Sequence, residues 1–285
     1  MVEPASATGE SRPSVRAGWR RDLGVLAVLA RGRVRSEMQY RTSFVTLLAG
    51  ELSSTLVDIA GILALFSKVH SLGGWTRNQV LVGYAITSTS FAIADALVSP
   101  IALLPEWVRL GRFDRLMVRP AGSLAQMLGH EFQLRRFGKL FQPITTLLIV
   151  WHLSGIGLAP WRLALATLAI VGSTTMFAAL YVATASVSFW SPSTDEVSAA
   201  FTYGGEFAGQ YPTHVFGTWL RRWLFMIVPV GLTSYAPVVA ILGAPNPLGL
   251  PRWLQVLGPL AAVPAVLAAA AIWRAGTRHY TSTGS

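Results

Sequence analysis

Glu51, Thr55 and Asp58 stand at i, i+4 and i+7 within one long apolar stretch, so a helix would carry them on a single face. A second stretch sets Tyr84, Ser88, Asp95 and Ser99 in the same manner. Carboxylates in apolar surroundings are costly and mark function by default. Two chemistries fit them: a proton relay or cation site, or structural hydrogen bonding to hydroxyls or arginines inside a bundle. No Lys, Arg or His lies at matching depth in those two stretches to complete a relay, which favours the structural role. The two polar stripes would face each other, a subunit interface or a wetted pathway.

Other chemistry is poorly represented. There is no cysteine, which removes disulfides, thiolate metal sites and thiol nucleophiles. A phosphate-cradling Gly-x-x-x-x-Gly-Lys-[Ser/Thr] loop is missing; Gly138-Lys139 lacks both the leading glycine and the hydroxyl. His130-Glu131 opens like a zinc-protease helix, but position 134 is Leu. His70, His152, His214 and His279 are scattered, and Ser154-Gly155 is no nucleophile elbow. A chain with no candidate catalytic residue, cofactor-binding motif or metal cluster is not expected to be an enzyme.

The elements that position those acids follow from composition. Of 285 residues 52% are hydrophobic and only 13% charged, and mean hydropathy is +0.49. A soluble domain carries about a quarter charged residues. Spanning a bilayer core takes about 20 apolar residues, and six stretches qualify: about 44–66, 80–104, 137–156, 163–190, 223–242 and 253–273. The expected fold class is all-α, a polytopic membrane protein of six transmembrane helices. Seven tryptophans fall near the ends of these stretches, as interfacial aromatics do.

The net charge of +10 would suggest nucleic acid in a soluble protein, but the cations segregate. Nineteen fall before the first stretch, in the 2–3 and 4–5 connections and in the tail, against Lys68, Arg77, Arg162 and Arg252 on the other side. The positive-inside rule then places both termini in the cytoplasm and excludes nucleic acid as the partner. Residues 1–18 have the composition of a disordered tail. Residues 19–41 repeat Trp19, Leu23, Leu26, Ala27 and Ala30 at helical spacing among arginines, which predicts an amphipathic helix at the lipid headgroups; the alternative is a solvated basic tail. The six-span domain fills 42–285. Prolines 143, 229, 237, 259 and 264 permit kinks.

Two connections remain. Residues 191–222 hold Val197, Phe201, Phe207, Tyr211, Val215 and Trp219 at three-to-four spacing, which predicts amphipathic helices on the inner surface. Gly205-x-x-x-Gly209 is a weak helix-packing match there. The stretch from Pro105 to Pro120 is denser in charge. Trp107, Leu110, Phe113, Leu116 and Met117 give it an apolar side, and Arg109, Arg112 and Arg115 form a row with Glu106 and Asp114 among them. It predicts a short proline-bounded helix, suited either to docking on an acidic or grooved partner or simply to setting topology.

Glu106–Pro120, with its core Gly111-Arg-Phe-Asp-Arg-Leu-Met-Val-Arg-Pro120, resembles a signature of type-2 ATP-binding-cassette permeases, in their bacterial six-span branch. Tyr211-Pro212 with Pro229 and Tyr235-Ala-Pro237, and the ending Trp273 to Ser285 with its Tyr-x-Ser-x-Gly-Ser close, resemble the same branch. The resemblance covers about 19–285. It implies that the element between the second and third spans couples to a nucleotide-binding subunit, with Glu106, Arg109, Gly111, Arg112, Asp114, Arg115, Leu116, Arg119 and Pro120 as coupling residues. It implies that 19–41 is an interfacial elbow helix, and it transfers no substrate site.

The implied protein is a permease subunit in the bacterial inner membrane, with no cofactor of its own. ATP and Mg would be bound by a dimer of partner ATPase subunits, and a second permease copy or a sister permease would complete the pathway among membrane lipids. Export of a hydrophobic or amphipathic substrate is expected. The competing class is an autonomous ion-coupled transporter or channel using Glu51, Asp58 and Asp95.

Overall fold

Apolar runs without internal turn residues become helices, and a computed structural model shows helix as the regular structure of the described residues, with one isolated bridge between Leu72 and Trp75. Described are residues 22, 24–29, 31–32, 35, 41–119, 121–130, 134–191 and 195–281, with backbone alone at 41–44, 47–48, 51–52, 54–55, 134–135 and 195. The expectations for 1–18, Pro120 and the closing Thr-Gly-Ser lie outside them.

Helix α1 (Arg41–Phe66) is followed by a turn carrying Trp75, then α2 (Arg77–Val98). Thr76 and Gln79 start α2 with a capping box. At its far end come α3 (Leu104–Arg109), α4 (Asp114–Met117) and α5 (Ser123–His130). A 3-10 turn, Leu134–Leu140, leads into α6 (Phe141–Leu153); α7 (Pro160–Ser186) and α8 (Asp195–Gly209) follow. The remainder is α9 (Thr218–Met226), α10 (Ala236–Leu242), α11 (Arg252–Leu257) and α12 (Ala262–His279).

The core has two halves, one at each end of the bundle. Trp75, Val82, Tyr84, Ile86, Trp151, Leu165 and Tyr235 through Ile241 pack at one end. Phe91, Leu104, Phe113, Leu116, Met127, Phe177, Tyr181 and Phe189 pack at the other. Glycines allow the tightest crossings. A Cβ on Gly172 of α7 would lie 2.7 Å from Pro259, so no larger residue fits without displacing that backbone.

Three helical stretches are long and apolar enough to cross a membrane, Arg77–Arg109, Pro160–Phe189 and Arg252–His279, matching the second, fourth and sixth expected spans. The third expected span is broken into the 3-10 turn and the 13-residue α6. In the fifth, α9 and Gly231–Leu242 meet at 82°. Pro229 has no N–H to continue a helix, and Gly231 lets the Phe225 ring approach to within 2.8 Å of where a Cβ would be. Arg221 and Arg222 at the start of this bent pair line the same cleft as Pro247, Leu248 and Leu250 just beyond its end. The pair is therefore a hairpin whose two ends lie together.

The 191–222 connection also departs from expectation. It does not lie across one end of the bundle; α8 runs beside the later part of α7 and the middle of α2. Ser198 bonds Thr184 at 2.8 Å, Tyr203 meets Phe91 edge-on with centroids 5.3 Å apart, and Thr87 Oγ1 donates to the Gly209 carbonyl at 2.9 Å. The Gly205/Gly209 pair is what permits this: both are buried, and a Cβ on Gly209 would fall 2.6 Å from Val230 and 2.9 Å from Thr87. The chain thus arrives at the Trp75 end, and Arg221 and Arg222 belong there. Moving them changes the cation balance from 19 and 4 to 17 and 6, with the same sign.

The described part of the 19–41 segment is helical at 24–29 and rests on α5. Asp22 Oδ1 accepts the Gly122 N–H at 2.8 Å, and Leu26 and Leu29 cover Gly129.

Candidate functional site

Helix α3 ends on Gly111, whose φ of +64° is left-handed. The Arg112 N–H reaches back to the Trp107 carbonyl at 2.9 Å and the Gly111 N–H to Val108 at 3.1 Å, the paired bonds of a Schellman cap. The expected single helix is therefore two, and the arginine row is divided: Arg109 on α3, Arg112 in the turn, Arg115 on α4. Arg119 follows, exposed. Glu106 pairs loosely with Arg112 at 3.9 Å, and Asp114 opens α4.

The apolar side also divides. Phe113 and Leu116 are buried, Trp107 is half-buried, and Leu110 and Met117 are exposed beside Val118. Phe113 is the anchor. Its ring is enclosed by Phe189, Trp273 and Tyr280, with centroids 5.1, 6.2 and 5.2 Å away, all near edge-on. Gln126 Nε2 of α5 ties the other end, donating to the Leu116 carbonyl at 3.1 Å and to Ala121 at 2.8 Å. The element is thus clamped to the bundle on its inner side and shows arginines with Leu110, Met117 and Val118 on the other.

Above it lies Asp95, fully buried. Arg136 Nη1 donates to both of its oxygens, at 2.8 and 2.9 Å; Tyr181 OH donates at 2.9 Å and Lys139 Nζ stands at 3.4 Å. Three partners surround the acid, the arrangement expected of structural hydrogen bonding inside a bundle. The expectation of no cation at matching depth missed Arg136 and Lys139. Both stand in the third stretch's first turn, where spacing of three puts them on one side of a 3-10 turn.

Other polar groups stand along α2. Ser88 receives the Gln210 amide at 3.3 Å, and Gln210 also donates to Glu206 at 3.3 Å. Tyr84 donates to Gln142 at 3.3 Å, and Gln142 to Thr146 at 3.0 Å. Ser88 thus shares a hydrogen-bonded cluster with Gln210 and Glu206, while Asp95 lies two turns further along the same helix with its own partners. Asp58 stands half-buried on α1, and Ser99 bonds back to the Asp95 carbonyl. The side chains of Glu51 and Thr55 lie outside the described residues. Glu206, Gln210 and Gln142 entered the site unannounced, because their segments read as a surface connection and an ordinary span. A cleft of about 250 Å³ is lined by Glu106, Leu103, Tyr181, Ser198, Thr202 and Tyr203.

An end-to-end apolar bundle carrying a clamped, arginine-faced element is the arrangement that the resemblance implied, and residues 52–284 match the model of the ABC-2 family transporter protein. The chain belongs to the ABC-2 transporter family. No curated protein and no solved structure matches it significantly. As an ABC-2 family member it is a membrane permease component of an ABC transporter, and the family implies association with an ABC ATPase subunit.

The opposite end carries its own fastening. Trp75 donates Nε1–H to the Pro245 carbonyl at 3.1 Å and stacks on Tyr235, 5.5 Å between centroids and 14° from parallel. His214 Nε2 meets the Gly73 carbonyl at 2.9 Å and Nδ1 meets Tyr235 OH at 3.0 Å. A carbonyl only accepts, so Nε2 carries the proton and Nδ1 accepts from Tyr235. Burial lowers the His214 pKa from 6.5, opposed in part by the Gly73 bond. Gly73, at φ +59°, leaves the space that this imidazole fills. In this ABC-2 chain the Tyr-Pro and Tyr-Ala-Pro motifs thus meet at a single knot around Trp75. Among the described residues no group of three or more metal-ligating side chains forms.

Proposed function

We propose that this chain is the non-catalytic permease of an ABC exporter in a bacterial inner membrane, paired with a second permease copy or sister permease. ATP and Mg would be held by a separate dimer of nucleotide-binding subunits. The observation that carries the reading is the clamped element: Phe113 locks it to the 3-10 turn Val187–Phe189 that ends α7 and to α12, while Arg109 and Leu110 face outward. A motor subunit pressing on that surface would move the helices directly.

The buried polar groups along α2, Asp95 and Ser88 with its Gln210 and Glu206 partners, support a pathway for an amphipathic substrate, polar on one side and walled by apolar helices. The 19–41 segment would lie at the headgroups, and α1, α2, α6, α7, α8 and α12 would be the membrane-crossing elements, with the α9–α10 hairpin entering from the Trp75 side. The buried acid Asp95 is already satisfied by two cations, which speaks against an ion-coupled carrier.

Purified chain in liposomes separates the readings. ATP-dependent flux that requires an added nucleotide-binding subunit is expected, with Leu110→Asp and Arg109→Glu weakening capture of that subunit. Gradient-driven flux from the chain alone would overturn the proposal.

A further inference from the structure

Between α3, α4 and α5 lies a cleft of about 300 Å³ lined by Trp107, Arg112, Arg115, Leu116, Arg119 and His130. Among the described residues that line it, three carry guanidinium groups and none a carboxylate. Arg115 and Arg119 make no ion pair among the described residues, and Arg112 has only the loose 3.9 Å contact with Glu106. Trp107 and His130 hold the cleft open from facing helices, with ring centroids 6.0 Å apart. Arginines converging without acids leave positive charge that folding alone does not explain, and their forked donors fit phosphate oxygens two at a time.

We infer that this cleft holds the phosphate of an anionic phospholipid headgroup. Its volume is at the lower end of small-ligand sites, which run about 300–1,000 Å³, so it suits a headgroup. The 22–35 segment, with exposed Arg31 and Arg35, docks on the α5 helix that ends in His130. Basic pockets at the cytoplasmic membrane surface recognise lipid headgroups in this manner. The inference rests on the cytoplasmic placement of this end, but not on any motor subunit.

The test uses the full-length chain alone in detergent, by native mass spectrometry with short-chain phosphatidylglycerol, phosphatidylcholine or inorganic phosphate. Phosphatidylglycerol is expected to remain bound and phosphatidylcholine to dissociate. Arg115→Gln with Arg119→Gln should lower phosphatidylglycerol occupancy at least tenfold, while Arg109→Gln, outside the cleft, leaves it unchanged. If the double variant does not fold, a wild-type preference for phosphatidylglycerol that vanishes at high salt supports the site instead. Equal retention of both lipids overturns it. Displacement of phosphatidylglycerol by millimolar inorganic phosphate makes this a free-anion site and overturns the lipid assignment. Displacement by an added nucleotide-binding subunit assigns the arginines to that protein's acids and also overturns it. Loss of ATP-driven transport with lipid binding intact would refute the exporter reading only.

Discussion

Tyr280 of the C-terminal segment stands edge-on to Phe113 of the α3–α4 turn, their ring centroids 5.2 Å apart at 81°. One hundred and sixty-seven positions separate them in the chain, and each belongs to a motif that resembles the same permease branch. Their contact gives a packing reason for both motifs: the tail closes the cage in which the element is held.

Phe113→Ala should therefore empty that cage. A fully buried phenylalanine truncated to alanine costs about 3–5 kcal/mol. A lower unfolding temperature in detergent is expected, together with trypsin cleavage at Arg112 and Arg115 at concentrations that spare the wild type. Phe113→Leu should recover most of both; wild-type resistance in Phe113→Ala would mean that the cage does not hold the element.

Gly111 tests the turn itself. A left-handed backbone costs a residue with a Cβ about 1–2 kcal/mol. Gly111→Ala is expected to weaken ATPase-subunit binding, and Gly111→Asn, which tolerates that conformation, to restore most of it. Equal binding by all three, measured by co-purification, would show that the turn's shape is immaterial.

At Asp95 the issue is unpaired charge. Asp95→Asn removes the buried carboxylate that Arg136 and Lys139 share, and breaking one side of a fully buried pair costs about 3–5 kcal/mol, an upper bound for these partly exposed cations. Expression of folded protein should fall sharply. Asp95→Asn combined with Arg136→Gln should recover part of it, as a fluorescence size-exclusion profile would record.

The Trp75 knot should respond to acid. With the His214 pKa held below 6.5, its neutral form is the one the fold prefers. The stabilisation is fully present above about pH 6.5 and is lost as pH falls through the lowered value. Hydrogen exchange at 210–217, corrected for intrinsic rate, is expected to quicken between pH 7.5 and 5.5. His214→Phe should abolish that pH dependence.

Hydropathy and charge made three long helices, the all-α class and the segregation of cations readable in advance. Spacing along α2 marked Ser88 and Asp95 as polar positions of one helix, and both are buried there. Hydropathy could not tell a straight span from a hairpin, because the run from Trp223 to Leu242 is equally apolar in either shape; only Pro229 and Gly231 signal the reversal. The amphipathic pattern of α8 was legible, but its neighbours were not. A polar stripe looks the same whether water or the Ser88–Gln210 contact satisfies it. Arg136 and Lys139 were hidden for a related reason: near the end of an apolar run, a cation counts toward topology before it counts as a partner for a distant acid.

Helix α7 runs 27 residues without interruption, about 40 Å at the helical rise, from the Trp75 half of the core to the Phe113 half. It behaves as a stiff rod beside the hinged α9–α10 pair. A force applied at the Phe189 end of that rod cannot be absorbed by bending along its length. Leu165 and Ala169 join its far end to the Trp75 half of the core, so one continuous helix connects the two halves while the α9–α10 pair is bent.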